Sequence, residues 1–197
     1  DMAEMMVGVV LTPPAGAAKK EWPETTAALE VTGLSVDSPI PFGTSLKNIS
    51  FSVHRGEILG IAGVAGNGQD ELLLALSGEL RSTDTMVKSF GTPVGGKGQN
   101  DRRSLGFVAA PEDRLGHAAA PDMSLVENAL LSGSVRKGLT KNGFIDWAKT
   151  REWAGAIVEQ YDVRTPGTWV AARALSGGNL QKFLMGRELS QAPDIVI

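Results

Sequence analysis

The sequence predicts an α/β fold with an antiparallel β-lobe, and three observations support this prediction. Two early segments, LEVTGLSV (29–36) and SLKNISFSV (45–53), alternate apolar and polar residues in the manner of antiparallel strands. An apolar strand, a glycine-rich turn and a helix then follow one another over residues 57–78. In the second half of the chain, short apolar strands alternate with helical patterns, which favours an α/β core.

Local patterns place the other elements in chain order. HRGE (54–57) is a turn, and EILGIAG (57–63) is predicted to be a third strand. DELLLALSG (70–78) is a short helix that ends at Gly78. We expect a loose connection at 91–103. The remaining predicted elements are strands at 85–90, 105–110 and 194–197 and helices at 124–131, 146–163 and 177–190.

Composition limits the class of protein. The 197 residues are 42% hydrophobic and 21% charged, as in an ordinary globular protein. The net charge of -3 gives no general basic surface, so we expect no nucleic-acid partner. The absence of cysteine excludes disulfides and thiolate ligands. His54 and His117 are isolated and make no ligand set, so the chain predicts no metal site of its own.

Both ends of the sequence suggest a piece of a longer chain. The first residue is Asp1 rather than Met, and residues 1–8 look like the end of a helix. Residues 12–28 combine three prolines with mixed charge, which is typical of a linker. PDIVI (193–197) begins a buried strand. No apolar run approaches the roughly 18 residues of a membrane-spanning helix.

The glycine turn, residues 63–70, matches most of the phosphate-binding pattern G-x-x-x-x-G-K-[ST]. Glycines allow backbone N–H groups to face phosphate oxygens, and the helix that follows adds partial positive charge. The candidate nucleotide-binding residues are Gly63, Ala65, Gly66, Asn67, Gly68, Gln69 and Asp70.

Two positions of the glycine turn depart from the pattern. Gln69 stands where the pattern has Lys, and Asp70 stands where it has Ser or Thr. Gln69 has no charge, and we expect Asp70 and Glu71 to repel a triphosphate, although Asp70 is able to reach a magnesium ion. We therefore expect weak nucleotide binding. The alternative is a tight turn without any ligand, and the turn alone favours neither interpretation.

A second motif, ALSGGNLQK (174–182), also has the character of an anion site. Ser176 and two glycines open a helix whose first N–H groups have no partner within the helix. The alternative is that Ser176 is an ordinary helix cap and that the glycines form a turn. The residues of this motif are Leu175, Ser176, Gly177, Gly178, Asn179 and Gln181.

Together, the two motifs resemble those of the ATP-binding-cassette (ABC) ATPases. LSGGN (175–179) resembles their signature motif, and GVAGNG (63–68) resembles their phosphate loop. FVAAPEDR (107–114) lies where such cassettes have the loop after the second core strand, with Glu112 in place of the usual Gln. The chain resembles the second cassette of the sugar- and nucleoside-importing branch that carries two fused cassettes. YDVRTPG (161–167) favours the nucleoside-importing members.

The resemblance implies how the two motifs work. Such ATPases pair head to tail, and each ATP with its Mg2+ lies between the phosphate loop of one cassette and the signature of the other. The turn with Gln69 would mark the weak site of the pair. The signature with Ser176 would complete the strong site, whose Lys and catalytic base come from the first cassette. No catalytic residue is therefore assigned within this sequence.

The resemblance also implies an organisation and a set of partners. Residues 1–28 would be the end of a preceding cassette plus a linker, and residues 29–197 would be a P-loop-NTPase-type nucleotide-binding domain with a helical signature subdomain. Within it we expect a β-lobe (29–62), a core (63–110), a helical lobe (111–173) and the signature helix with the start of the Walker B strand (174–197). Expected partners are a first cassette, membrane permease subunits and, indirectly, a solute-binding protein, at the cytoplasmic face of the membrane. Candidates for coupling to the permease are Glu112, Asp113 and Arg114, and the alternative for them is a solvated charged turn.

The sequence departs from the family at its C-terminal end. The Asp-bearing Walker B segment would follow PDIVI, and one strand of the core sheet would come later still, so we expect a gap in that sheet. The isolated chain is accordingly predicted to be inactive or very weak as an ATPase. The competing hypothesis is a regulatory or structural module that binds nucleotide without hydrolysing it. A cassette that acts on nucleic acid or ribosomes is disfavoured by the negative net charge.

Overall fold

A computed structural model describes residues 27–39 and 41–197 of the chain. The predicted helix end at 1–8 and nearly all of the predicted linker at 12–28 lie outside these ranges. The described chain is an α/β fold, in which an antiparallel sheet is combined with helices and a short parallel strand pair. The fold class predicted from the sequence is confirmed.

The first half of the described chain forms a four-stranded antiparallel sheet with the order β2-β1-β3-β4. β1 (Leu29–Val36) lies between β2 (Leu46–Val53) and β3 (Val87–Ser89), and β3 pairs with β4 (Thr92–Pro93). β1 and β2 coincide with the two segments of alternating apolar residues, because that alternation buries one face of each strand. The predicted antiparallel pairing is confirmed.

Residues 57–63, predicted to be a third strand, pair with no other strand in the described ranges. Ile58 is 96% exposed and Ile61 is 53% exposed. An apolar segment becomes a strand only when a neighbour satisfies its backbone N–H and C=O groups. β5 (Phe107–Val108) and β8 (Ile195–Val196) pair parallel with each other instead, and an apolar cleft lies between β8 and residues 57–63. The predicted strand is thus wrong, whereas the expected gap in the core sheet is present.

Five helices occupy much of the described chain. They are α1 (Gln69–Ser77), α2 (Gln99–Ser104), α3 (Leu125–Gly133), α4 (Trp147–Gln160) and α5 (Gly177–Leu189). All except α2 were predicted, and α3 begins at a capping box in which Ser124 and Glu127 bond each other's backbone N–H groups. Within residues 27–39 and 41–197, no helix combines the length and the apolar character that a bilayer crossing requires.

Two small features were missed in the sequence. Residues 91–103 are not a loose connection, because they contain β4 and most of α2. α2 is polar and turns chiefly Arg102 inward, so it has no apolar periodicity to detect. β6 (Thr140–Lys141) and β7 (Phe144–Ile145) form a hairpin around 142–143, an Asn-Gly pair with positive φ at both residues. Asn-Gly is a strong hairpin signal, and it was available in the sequence.

The described residues form two apolar cores. One lies between the antiparallel sheet and α1, and its most buried members include Leu34, Ala75 and Val87. The other is formed by α3, α4 and α5, and Ile157 and Phe183 lie at its centre. Ile195 of β8 also packs in the first core, and polar contacts add to this connection between the two halves.

A buried ionic cluster makes that connection at the end of α5. Glu188 has no solvent exposure, and its Oε1 accepts from Arg187 Nε at 2.9 Å while its Oε2 accepts from Arg103 Nη1 at 2.9 Å. Arg103 belongs to α2, whereas Arg187 also donates to the carbonyl of Asn128 in α3. Burial lowers the pKa of Arg187, and the adjacent Glu188 carboxylate opposes that shift. The cluster therefore ties helices of both halves to one carboxylate.

A second buried cation, Arg102, bonds the last turn of helix α1. Its guanidinium is fully buried, and Nη1 donates to the carbonyls of Ala75 and Leu76 at 2.7 and 2.6 Å, while Nη2 donates to Gly95 at 2.9 Å. These α1 carbonyls lie in its last turn, where the helix itself offers no donor. Burial lowers the pKa of Arg102 to about 10, which leaves it charged at neutral pH. The cation is held by carbonyl dipoles at the negative end of α1.

We expect Arg102→Met to lower the free energy of unfolding by about 2–4 kcal/mol, because it leaves several buried carbonyls without a donor. Urea unfolding of both proteins at pH 7 measures this change. Arg151→Met, on the exposed surface of α4, is the control and should have little effect. A loss no greater than that of the control would contradict the role assigned to Arg102.

Candidate functional site

The glycine turn leads directly into α1 and leaves the start of that helix open. Gly66 and Gly68 have φ of 87° and 99°, a backbone conformation that favours glycine. Gly68 is the N-cap residue, and no side chain caps the helix. Space for an added Cβ at Gly66 is open. The N-cap residue thus has no side chain to compete for the first N–H groups of the helix.

Gln69 folds its own side chain into the glycine turn. Its Nε2 donates to the carbonyl of Val64 at 3.2 Å, and a Cβ built at Gly63 would overlap the same amide. The Oε1 atom is buried without a hydrogen-bond partner in the described part of the chain. The turn is therefore spanned by a neutral amide at the position where the phosphate-loop pattern has a cation.

Glu71, which was expected to repel a triphosphate together with Asp70, is buried at the start of α1. It is 5% exposed, and its Oε1 accepts from Ser38 Oγ and from the backbone N–H of Thr44, both at 2.9 Å. Hydrogen bonds from its own backbone N–H, Ser38 and Thr44 lower the pKa of the Glu71 carboxyl. Asp70, by contrast, is exposed. Only Asp70 thus presents an exposed carboxylate at the start of α1.

Thr44, in the connection between β1 and β2, supports the glycine turn and was not identified from the sequence. Its Oγ1 donates to the carbonyl of Gly66 at 2.7 Å, and its side chain packs against Gly68. A Cβ added at Gly68 would lie 3.4 Å from Thr44 Cγ2. No local motif marks this threonine, because the contact depends on how the β1–β2 connection folds over α1.

The signature turn, residues 175–179, opens α5 in the same way. Ser176 is the N-cap residue, yet its side chain caps no N–H group. Its Oγ accepts instead from Asn179 Nδ2 at 3.0 Å, and Asn179 Oδ1 accepts from the backbone N–H of Arg164 at 2.9 Å. The interpretation of Ser176 as an ordinary cap is therefore wrong. The bond leaves the hydroxyl hydrogen of Ser176 and the N–H groups of Gly177 and Gly178 free for another acceptor.

The surroundings of the signature turn are exposed on one side and apolar on the other. Ser176, Gly177 and Gly178 are exposed, and nothing lies within 4 Å of a Cβ built at Gly178. Leu175 packs against the helical core. Gln181 is exposed, one turn further along α5. The donors are accordingly presented to solvent by a helix whose opposite face is fixed in the core.

The PEDR loop, residues 111–114, lies beside α5. Glu112, Asp113 and Arg114 are all exposed, as expected of either a coupling loop or a solvated turn. Glu112 and Arg114 share a cleft with Gln181 of α5. Arg114 Nη1 donates to the carbonyl of Gly177 at 3.1 Å, so the PEDR loop and the signature turn are in direct contact.

The structure groups the predicted residues into two separate sites. The glycine turn is bonded to the β1–β2 connection, and the signature turn is bonded to the PEDR loop and to Arg164. No hydrogen bond joins the two turns within residues 27–39 and 41–197.

Each of the two histidines contacts a carboxylate. His54 Nδ1 lies 3.1 Å from Glu57 Oε2, and His117 Nε2 lies 3.0 Å from Glu79 Oε2. In the described ranges no three His, Cys, Asp or Glu side chains come together as ligands for a metal ion.

Comparisons of the chain with a family profile and with known proteins indicate the same family. The profile described as ABC transporter matches residues 46–197. The chain is 34% identical over its whole length to the nucleoside import ATP-binding protein NupA of Lactococcus lactis, of which it covers 38%. It is 37% identical over 86% of its length to the guanosine import ATP-binding protein NupO of Bacillus subtilis, of which it covers 33%. The chain spans about a third of the length of these relatives.

Solved structures share the fold. The dimeric ATP-binding cassette MJ0796 bound to ADP and phosphate aligns with a TM-score of 0.67 at 16% identity, over 85% of this chain and 72% of that one. The cassette MJ1267 aligns with a TM-score of 0.64 at 21% identity, over 87% of this chain and 68% of that one. At these identities the likeness establishes the fold alone.

The Glu71 carboxylate should give the protein a measurable acid sensitivity. Its pKa is lower in the folded state than the ordinary 4.5, so it stabilises the fold above that pH, and the stabilisation is lost as pH falls through the folded pKa. We expect Glu71→Gln to lower the unfolding free energy by roughly 1 kcal/mol at pH 7. The difference should shrink as pH falls from 5 to 3.

Urea unfolding across that pH range measures the effect. Glu152→Gln, on the exposed surface of α4, is the matched control. A Glu71→Gln difference that stays constant from pH 7 to pH 3 would show that the carboxylate charge contributes nothing.

Proposed function

Since this chain belongs to the ABC transporter family, whose profile covers residues 46–197, we propose that it is an ATP-binding, energy-coupling part of an importer for nucleosides or simple sugars. Relatives named as nucleoside, guanosine, glucose and ribose import ATP-binding proteins support this solute class. The complete protein would lie on the cytoplasmic face of the membrane, bound to permease subunits that receive solute from a binding protein. NupA and NupO favour a nucleoside among these solutes.

Within such an importer, this chain is the signature donor of a cassette pair. The observation that carries the proposal is the open signature turn. Ser176 Oγ is held by Asn179, so its hydroxyl hydrogen and the N–H groups of Gly177 and Gly178 are available to a terminal phosphate. A helix start with free donors favours an anion, and neutral donors suffice when the partner cassette supplies the cation.

The glycine turn is the weaker half of the second site. Gln69 supplies an amide where a phosphate loop has a cation, and that amide is bonded to Val64 within the turn. A triphosphate would have to displace the Gln69 side chain and would then meet the exposed Asp70. The backbone of the turn still fits a phosphate, and Asp70 is the residue available to a magnesium ion accompanying ATP. Nucleotide there is expected to bind weakly and to turn over slowly.

The regulatory alternative concerns this weaker site. In this alternative, nucleotide occupies the glycine turn without turnover, and the chain is a regulatory or structural module that assists no hydrolysis by a partner. The contact between Gln69 and Val64 favours such a non-hydrolysing role for the glycine turn. The two hypotheses differ in whether the signature turn is needed for turnover by a partner.

ATP turnover by a mixture separates the hypotheses. The chain is combined with an intact first cassette of the same branch, ATP and Mg2+. We expect activity in the mixture that exceeds either component, because Ser176 completes the partner's site. Ser176→Ala should lower that activity about 100-fold, as loss of one transition-state donor does. Gln69→Ala should leave it nearly unchanged.

The matched control is Ser104→Ala, which alters an exposed serine at the end of α2. Turnover by this chain alone that depends on Gln69, with no effect of Ser176→Ala in the mixture, would overturn the assignment of the two sites.

Restoring the phosphate-loop residues tests why the glycine turn is weak. We expect the double change Gln69→Lys with Asp70→Thr to tighten ATP binding to the isolated chain by at least about tenfold, since it adds a cation and removes a like charge. Calorimetric titration with Mg-ATP measures the affinity. An unchanged affinity would show that the missing cation is not what limits binding at this turn.

A further inference from the structure

Arg114 connects the PEDR loop to the first residue of α5. Its Nη1 donates to the carbonyl of Gly177 at 3.1 Å, next to the exposed hydroxyl of Ser176. A charge-assisted bond of this kind is stronger than a neutral one. The bond therefore holds the backbone of the signature turn at the point where its free donors begin.

Gly177 leaves room for this contact. A Cβ built there would lie 3.0 Å from Arg114 Nη1, so a larger residue would require the guanidinium to shift. A glycine at a helix start is usually explained by access of a ligand to the backbone. Here the glycine also gives a neighbouring guanidinium access to a carbonyl.

The loop that carries Arg114 is itself fixed. The carbonyl of Asp113 accepts from the N–H of Ala118 at 3.0 Å, and Asp113 Oδ1 accepts from the N–H of Leu115. The carbonyl of Ala118 in turn accepts from Arg187 Nη2 at 2.9 Å. Arg187 lies in the last turn of α5, so residues 111–118 bind α5 at both of its ends.

We propose that Arg114 is a positioning residue for the signature turn: it holds the Gly177 carbonyl so that the Ser176 hydroxyl and the first N–H groups of α5 stay aimed at the partner's ATP. The proposal rests on the proposed function. The role is assigned through the turn, because the hydrogen bond that the structure gives the Arg114 guanidinium is to the Gly177 carbonyl. Movement of the PEDR loop would then change the aim of the signature donors directly.

The test measures opening of the signature turn and the rate of ATP turnover separately. The amide of Leu180 donates to the Ser176 carbonyl at 2.9 Å and reports opening of the first turn of α5. In the 197-residue chain, Arg114→Met should speed hydrogen exchange at Leu180 on the order of tenfold. In the mixture with an intact first cassette, it should lower kcat by a similar factor with little change in the KM for ATP.

Two further variants test whether the effects are specific to the Arg114 hydrogen bond. Arg114→Lys keeps a donor that can reach the carbonyl, so its Leu180 exchange rate and its kcat should lie much closer to those of the unmodified chain. Arg173→Met removes an exposed cation three residues before Ser176 that pairs with Asp122, and it should change neither quantity. Melting temperatures of all variants show whether the chain as a whole has been destabilised.

Each deviation from this pattern overturns the proposal. Unchanged Leu180 exchange in Arg114→Met means that Arg114 does not hold the turn. Faster exchange with unchanged kcat means that the hold does not matter for turnover. A fall in kcat without faster exchange means that Arg114 acts on the nucleotide. Failure of the proposed function is distinguishable, because Ser176→Ala would then leave turnover intact while the exchange measurement on the isolated chain still applies.

Discussion

The buried carboxylate of Glu188 is the contact on which the arrangement of both halves depends. It accepts from Arg187 of its own helix and from Arg103 of α2, and Gln191 Nε2 adds a third bond at 3.1 Å. A carboxylate with no exposure is tolerated only when such partners compensate its lost hydration. Because Arg187 also bonds Ala118 and Asn128, one cluster fixes α5 relative to α2, α3 and the residues after the PEDR loop. The open signature turn lies at the other end of this anchored helix.

Fixing one end of α5 explains how its start can remain uncapped. A helix start without side-chain caps leaves N–H groups unsatisfied and is less stable than a capped one. Phe183 and Leu184 are buried in the helical core, and the ionic cluster holds the last turn. The stability of the helix therefore comes from packing and from its far end. Ser176 is free of the capping role and is positioned by Asn179.

The glycine turn and the signature turn show how two uncapped helix starts acquire different chemistry. Gly68 has no side chain, and the side chain of Ser176 caps no N–H group. In the glycine turn, an amide side chain is bonded inside the turn and a carboxylate stands beside it. In the signature turn, the nearby side chains leave the Ser176 hydroxyl and the N–H groups of Gly177 and Gly178 exposed to solvent. The difference lies in the side chains of Gln69, Asp70 and Asn179. It supports the proposed asymmetric pair, in which this chain contributes one strong half-site and one weak one.

Much of this could be predicted from the sequence, since β1, β2, α1, α3, α4 and α5 all have clear periodicity or caps. Residues 57–63 failed because strand formation depends on a neighbour that local pattern does not reveal. α2 escaped detection because a single buried Arg102 replaces an apolar face. The inward turn of Glu71 and the role of Thr44 depend on contacts with residues distant in the chain. The state of Ser176 depends on Asn179, which is itself bonded to the N–H of Arg164. Motifs thus indicated the candidate site, whereas the hydrogen bonds around its residues needed the three-dimensional structure.

The most direct measurement of the asymmetry is photocleavage by orthovanadate. With ADP and Mg2+, vanadate occupies the position of the terminal phosphate, and ultraviolet light cleaves the backbone that contacts it. The mixed pair of this chain and an intact first cassette is trapped in this state and irradiated, and the fragments are identified by mass spectrometry. The account predicts cleavage of this chain at 176–178 and none at 63–70. Cleavage of this chain within 63–70, with residues 176–178 intact, would contradict it.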